Sequence, residues 1–423
     1  MTDTLVYCGH PGCGPAKQLI GWLRGGAAPP PWPGFERGEV VLTHSGRAAI
    51  ALAARAWGLG PGDEVLVPSY NCGAEIDPIA ATGATLVPYR VDERADIDLD
   101  DLTRRATERT RVVYVTHYFG WPQDLSELAA WCRRRGTLLL EDAALALFSA
   151  PIDHPIGASG DAVIYSLQKS LAVPDGGALV LRRGEARMLH PPAAPHFRTI
   201  LRASLSLARN ALVDGAAALG AYPLLAHLPG AASRPRPDDP PPSRPDIPAR
   251  YYFDAERELR RISRLTAGLL QTVDPRTVIT RRRENYTMLR DAIADAPGVR
   301  LLFDALPPGV CPLTMPVRVD DRHFWRRALV SRRIATIPWW SGYHRALSWD
   351  DFPEACTLKD TIVGLPIHHQ LTGAHMRAIG EAVCDIAQRA ASDQARAQAP
   401  ARHAVPITAA TSTTASPEQV GAS

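Results

Sequence analysis

The sequence predicts an α/β fold with a mainly parallel central sheet flanked by helices, joined to a smaller C-terminal α+β domain. Three observations carry this. Short β-branched and apolar runs alternate with helical patterns through the first half of the chain, as right-handed crossovers of a parallel sheet require. Polar and charged residues sit just past the ends of several runs, where such sheets place their sites. The chain has 423 residues, enough for two domains sharing a core.

In chain order, residues 1–38 read as an N-terminal arm. Cys8, His10 and Cys13 lie close together there, but a structural zinc site needs four ligands and no second Cys/His pair follows at suitable spacing, so a Gly/Pro-rich entry loop is expected and no metal. Ala27 to Gly34 is a Pro-rich connector. Residues 39–230 form the large domain. Val40 to Thr43 reads as a strand, and Ser45-Gly46 then starts a helix from Arg47 to about Trp57. Further strands are expected at Glu64 to Pro68, Thr85 to Val91, Val112 to Thr116, Thr137 to Leu140, Ala162 to Leu167 and Ala178 to Leu181. Helices fall near Asp98 to Ala106 and Asp124 to Arg135, and Asp175-Gly176-Gly177 is a turn.

Phe197, Leu201, Leu205, Ala208 and Leu212 recur at helical spacing. Core or dimer packing and a membrane-surface or partner-binding helix both fit that stripe. Residues 231–248 are a Pro-rich linker. Residues 249–391 hold two long helices (Asp254 to Asp274 and Val278 to Ala294) and the small domain. Its strands are expected at Leu313 to Val319 and Ile334 to Ile337, with a helix at Arg322 to Arg332 between them and a last helix at Gly373 to Ala391. Arg281-Arg282-Arg283 reads as a solvated face. Residues 392–423 are rich in Ala, Gln, Thr, Ser and Pro and read as a disordered tail.

Composition excludes several classes. A formal net charge of +3 is too near balance to suggest a nucleic-acid partner. No window of about 18 uncharged apolar residues predicts a membrane span. Met1 to Tyr7 carries Asp3 and lacks the pattern of a secretory signal. Seven scattered cysteines predict a reducing compartment, so a cytoplasmic protein is expected.

Lys169 stands out. The chain holds 47 Lys plus Arg, and only Lys17, Lys169 and Lys359 are lysines. A primary amine can lose its proton and form a Schiff base, which a guanidinium cannot do in practice. Asp142, in Glu141-Asp142-Ala143-Ala144, also lies just past a strand, as does His117. As bare residues, Asp142 is equally a strand-end helix cap and Lys169 a surface lysine.

The order of these motifs resembles the DegT/DnrJ/EryC1/StrS family of sugar aminotransferases. The stretches are Ser45 to Ala49, Gly60 to Ser69, Glu141 to Ala144, Gly160 to Ala162, Ser166 to Lys169 and Leu365 to His368. The resemblance covers roughly Glu39 to Ala390. It implies the aspartate-aminotransferase fold (fold type I) and pyridoxal phosphate as cofactor. It further implies that Lys169 forms the Schiff base, that Asp142 keeps the pyridine nitrogen protonated, and that Gly46, Arg47, Ala48 and Ser166 bind the phosphate. The ring-stacking position falls on Cys72, where the family usually has an aromatic residue, with Tyr70 as the nearby alternative. Leu145 stands where relatives often carry His or Gln, and Ser166 is closer to Lys169 than the family pattern has it. The family's Asn–x–Arg pair, which reaches the neighbouring subunit's cofactor phosphate, falls on Leu259 and Arg261. Tyr70, His117, Trp340 and His344 are candidate substrate contacts, the last two in an aromatic loop that equally suits hydrophobic anchoring.

The implied activity is transfer of an amino group from an amino acid, L-glutamate by family analogy, to a keto group of a nucleotide-linked sugar by a homodimer. Two alternatives stay open: another pyridoxal-phosphate reaction on the same fold, such as dehydration or C–S cleavage, and a non-catalytic binding or regulatory protein.

Overall fold

The structure, a computed structural model, describes residues 11–26, 28–153, 155–181, 193–218, 244–337, 339–340 and 342–398. At its centre is a seven-stranded sheet of β1 (Glu39–Thr43), β2 (Glu64–Pro68), β3 (Thr85–Tyr89), β4 (Thr110–Thr116), β5 (Leu138–Asp142), β6 (Ala162–Ser166) and β7 (Gly177–Leu181), in the order β1-β7-β6-β5-β4-β2-β3. The pairs β3/β2, β2/β4, β4/β5 and β5/β6 are parallel, whereas β7 runs antiparallel to both β6 and β1. The parallel strands are apolar on both faces because helices cover both. The connection from β6 to β7 is only ten residues long, too short for a crossover, so β7 must return antiparallel. The ends of β1, β2, β4, β5 and β6 and the start of β7 therefore share one edge.

The helices of this half are α1 (Pro15–Arg24), α2 (Gly46–Ala56), α3 (Asp77–Ala80), α4 (Leu99–Arg105), α5 (Ser126–Arg135), α6 (Leu167–Ser170) and α7 (Phe197–Ala218). One face of the sheet (Val65, Val67, Val112, Tyr114, Leu140, Ile164, Leu179) packs against Ala49, Ile50, Leu52 and Ala53 of α2. On the other face, Leu66, Val113, Val115 and Leu139 belong to a core that continues without a break into the C-terminal region, to Leu329, Ile379 and Val383. Val163, Tyr165, Ala178 and Val180 pack with Trp32, Phe35, Leu269 and Leu270.

The C-terminal region contains α8 (Ala255–Glu258), α9 (Arg264–Leu270), α10 (Pro275–Ala292), α11 (Arg322–Ser331), α12 (Pro353–Thr361) and α13 (Gly373–Gln398). Its small antiparallel sheet has the order β10 (Ile362–Leu365), β9 (Met315–Arg318), β8 (Arg300–Leu301).

Several expectations need correction. Asp254 to Asp274 is not one helix. Asp254 and Ser263 each cap a separate short helix, and Leu259 to Ile262 between them runs back to β1: Thr43 bridges Arg261, and the His44 N–H donates to the Arg260 carbonyl at 2.8 Å. Ile334 to Ile337 is no strand; only Ile337 makes a bridge, to Gly364, and the strand beside β9 is β10. The helix read as ending at Ala391 continues to Gln398, since Ala, Gln and Arg are good helix formers up to Pro400. The Arg281 to Arg283 run is not a solvated face throughout. Arg282 is fully buried, donating to the carbonyls of Pro312, Leu313 and Ser170, and Arg283 reaches those of Pro307 and Val310. Cys8 and His10, the linker up to residue 243 and the tail beyond 398 lie outside the described residues. Among the described residues, no helix is long and apolar enough to cross a membrane, and no His/Cys/Asp/Glu group could hold a metal.

The N-terminal helix is held by close contact rather than by side-chain mass. A Cβ built at Gly268 of α9 would lie 1.7 Å from the Gly21 carbonyl oxygen of α1. Gly268→Ala is therefore expected to cost about 1–3 kcal/mol through overpacking, measured as a lower midpoint in denaturant unfolding; an unchanged midpoint would show that the contact is dispensable.

Candidate active site

The shared strand edge gathers the polar groups. Asp142 ends β5 and is fully buried; Tyr114 of β4 donates its hydroxyl to Asp142 Oδ2 at 2.6 Å, and the Ala144 N–H donates to Oδ1 at 2.7 Å. Register explains the Tyr114 contact: Thr116 pairs with Asp142, and a residue two earlier on a strand shares its face. Burial raises the Asp142 pKa, and the Glu75 charge adds to this, while Lys169 and the Tyr114 hydrogen bond pull it down without cancelling the rise. Asp142 is thus a carboxylate short of positive charge.

Lys169 lies on α6, the single turn after β6, with Nζ 5.9 Å from the centre of the Trp339 ring. Arg282 holds that turn from behind through the Ser170 carbonyl, at 3.0 Å. Across from it, α2 begins at Gly46 with Ser45 as N-cap, whose Oγ accepts the Ala48 N–H at 3.2 Å. A Cβ added at Gly46 would come within 3.2 Å of Ser166 Cβ, so the helix start and Ser166 face each other closely. The Arg47 side chain turns elsewhere, pairing with Glu258 at 2.9 Å and donating to the Tyr251 carbonyl at 2.8 Å, so only its backbone N–H belongs to the helix start.

Asp175, read from the sequence only as part of a turn, is fully buried. Its carboxylate accepts from the Ser263 N–H (2.8 Å), the Ser263 hydroxyl (2.6 Å) and the Thr266 hydroxyl, and lies 3.2 Å from His44 Nδ1. The Gly176 N–H donates to the His44 carbonyl at 2.7 Å, and a Cβ at Gly177 would sit 2.3 Å from the Ser45 carbonyl carbon. The Gly-Gly pair therefore lets β7 pass against the start of α2.

Cys72 is half-buried at the same edge. Its N–H donates to Glu75 Oε1 at 2.7 Å and its thiol to Oε2. Burial and then the Glu75 charge push the thiol well above its ordinary range, so it is a protonated donor and no nucleophile. Glu75 escaped the sequence reading.

The four candidate substrate contacts are placed differently from expectation. Tyr70 and Trp340 are buried, their ring centres 4.9 Å apart in a cluster with Tyr118, Phe119 and Trp339, so the aromatic loop anchors the core. His344 is buried with Nε2 2.9 Å from Asp77 and Nδ1 accepting the Ala346 N–H. His117 points to the opposite face from Asp142. The Gln123 N–H donates to its Nδ1, which leaves the ring proton on Nε2, 3.0 Å from Glu141. Burial raises the Glu141 pKa, but the His117 hydrogen bond, with the Gly157 and Gly160 N–H groups, outweighs it and holds it below its usual range.

Lys359 belongs to the site's frame and was open to the same lysine-scarcity argument as Lys169. It is fully buried, and Nζ donates to the carbonyls of Asn71 (2.5 Å), Gly342 (2.8 Å) and Trp340 (3.2 Å), stapling the aromatic loop to the segment before Cys72. Burial brings its pKa down to about 8, against the opposing pull of Glu75.

Residues 35–189 match the model of the DegT/DnrJ/EryC1/StrS aminotransferase family, the family that the motifs resemble. Over 147 residues the chain is 37% identical to dTDP-4-dehydro-2,3,6-trideoxy-D-glucose 4-aminotransferase of Saccharopolyspora spinosa, covering 34% of this chain and 38% of that protein. Over 145 residues it is 39% identical to L-glutamine:scyllo-inosose aminotransferase of Streptomyces griseus, covering 33% and 34%. The aligned stretch spans well under half the length of either relative. The aminotransferase TlmJ from Streptoalloteichus hindustanus has the same fold, with a TM-score of 0.61 over 90% of this chain and 93% of that one at 22% identity.

The two neighbouring carboxylates should titrate with opposite sign. Glu141, held below its unfolded pKa, contributes stability above that value and loses it as pH falls through the folded one. Glu141→Gln should cost about 2–3 kcal/mol at neutral pH and flatten the acid limb of a stability–pH curve; a variant with the parent's curve would dismiss this clamp. Asp142, held above its unfolded pKa, costs stability once ionised, so stability falls as pH rises through its titration. Asp142→Asn should raise the thermal midpoint of the cofactor-free protein at neutral pH, and a lower midpoint would contradict the unmet charge.

Proposed function

We propose that this chain is a pyridoxal-phosphate-dependent aminotransferase. It moves an amino group from an amino acid, L-glutamate, to a keto group of a nucleotide-linked sugar, and it works as a homodimer. The observation that carries the reading is the fully buried Asp142, short of positive charge, on the same strand edge as Lys169 and the Gly46/Ser166 approach.

The residues present fit the cofactor. A protonated ring nitrogen would meet the charge deficit of Asp142, and Tyr114 fixes that carboxylate by bonding Oδ2. The Gly46 and Arg47 N–H groups at the start of α2, with the Ser166 hydroxyl, would hold the phosphate as helix N-termini hold anions, whereas the Ala48 N–H, also expected there, is taken by Ser45 Oγ. Lys169 would anchor the cofactor through its amine. When bound, the cofactor supplies a sink for the electron pair left at carbon when the substrate proton departs.

The chain's own work is then positioning and proton transfer. Arg282 orients the Lys169 turn, and the Lys169 amine would serve as the base that accepts and returns the substrate proton. The Cys72 thiol, tied to Glu75, stands where relatives place an aromatic ring. The departure at Cys72 favours, as a second reading, another reaction of the same cofactor.

The match at residues 35–189 and the relative named for a dTDP-linked sugar support the keto-sugar acceptor. The homodimer rests on the resemblance alone, which turns Arg261 toward a neighbouring subunit.

Protein given pyridoxal phosphate should show a visible absorbance band that Lys169→Ala lacks, and L-glutamate should bleach it. A band that L-glutamate leaves unchanged would favour the second reading, and no band in the parent protein would overturn both. Asp142→Asn should retain the cofactor more weakly by about tenfold or more, the order of one lost charge interaction, measured by equilibrium dialysis.

A further inference from the structure

Two helices leave apolar side chains uncovered at the surface. In α7, Phe197, Leu201, Leu205 and Leu212 are 76%, 44%, 61% and 62% exposed, while Leu207 is turned inward. At 3.6 residues per turn those four lie within about 80° of one another, so they form one stripe. Arg198 and Arg202, both exposed, follow immediately to one side of it. In α1, Leu19, Ile20, Trp22 and Leu23 are exposed as well, with Lys17 and Arg24 on the same short helix. The helices are neighbours: Gln18 of α1 donates to the Ser204 carbonyl of α7 at 2.9 Å, and the Cys13 N–H donates to the Leu207 carbonyl at 3.1 Å.

The charge around these stripes is one-sided. Residues 11–34 contain no Asp or Glu, and α7 contains one, Asp214, which the helical period sets about 100° or more from every residue of the stripe, while Lys17, Arg24, Arg198 and Arg202 lie on these helices. An apolar stripe edged by cations and free of anions matches the boundary between acyl chains and acidic headgroups.

We propose that the face formed by α7 and α1 docks on an anionic phospholipid surface. The Phe197, Leu201, Leu205 and Leu212 stripe enters the acyl boundary, and Arg198 and Arg202 reach the headgroup phosphates. The protein lies on the bilayer rather than spanning it. The catalytic reading neither requires nor supplies this property.

The test is co-sedimentation of the full chain with vesicles containing phosphatidylglycerol, beside vesicles of phosphatidylcholine alone. The bound fraction should be about tenfold or more higher on the anionic vesicles and fall at high salt. Leu201→Glu/Leu205→Glu should abolish binding, and Arg198→Ser/Arg202→Ser should weaken it, both with unchanged circular dichroism and thermal midpoint, since all four side chains are exposed. No preference for anionic vesicles would overturn the proposal, as would full binding by the Leu201→Glu/Leu205→Glu variant. So would a parent protein that ignores vesicles and a Leu201→Glu/Leu205→Glu variant whose only change, by light scattering, is from dimer to monomer. That outcome would assign the face to a second copy.

Discussion

The buried carboxylate of Asp175 is the contact on which the site geometry depends. It stands at the turn where the chain leaves the Lys169 helix and enters β7, and it satisfies donors from Ser263 and Thr266 at the head of α9 while lying beside His44. One charged group thereby ties the β6–β7 return, the end of β1 and the first turn of the C-terminal half. A buried carboxylate is tolerated only when its lone pairs are met, and here they are. Because β7 is thus pinned against the start of α2, the Lys169 turn and the N-terminus of α2 face each other across a fixed gap.

The surrounding frame uses the same device with the opposite sign. Arg282 and Lys359 are both buried, and both give their protons to backbone carbonyls rather than to carboxylates. Loops at the edge of an α/β sheet lack ladder partners for those carbonyls, and a many-donor cation can collect several at once. Arg282 collects them behind Lys169, and Lys359 collects them between the aromatic loop and Asn71. Asp142 is the exception. Burial raises its pKa despite the Tyr114 and Ala144 hydrogen bonds and the nearby Lys169 amine.

Much was legible in the sequence. Seven strand runs of the large sheet, the helices α2, α4 and α5, and the positions of Asp142, Lys169, Gly46 and Ser166 at strand or helix ends follow from periodicity and turn residues, whereas the helix α1 in the N-terminal arm and the single turns α3 and α6 do not. The misreadings share a cause. Leu259 to Ile262 carries a helical pattern on both sides, but its backbone pairs with β1, and that partner is more than two hundred residues away. For Trp340 and His344 the sequence left substrate contact and hydrophobic anchoring equally open, and the cluster around Tyr70 and the Asp77 carboxylate bury them. Arg282 sits in a run of three arginines and only the fold distinguishes it from Arg281, which stays at the surface with Glu284.

The sequence by itself determined the α/β class, the sheet edge where the candidate site residues lie and the scarcity of lysine that singles out Lys169, because these are local patterns or simple counts. Only the tertiary structure decided which side chains meet there. Tyr114 reaches Asp142 through strand register, His117 is turned away from it by a one-residue step along the pleat, and Glu75 finds Cys72 through a loop. Each is a matter of direction in space, set by packing between segments far apart in the chain.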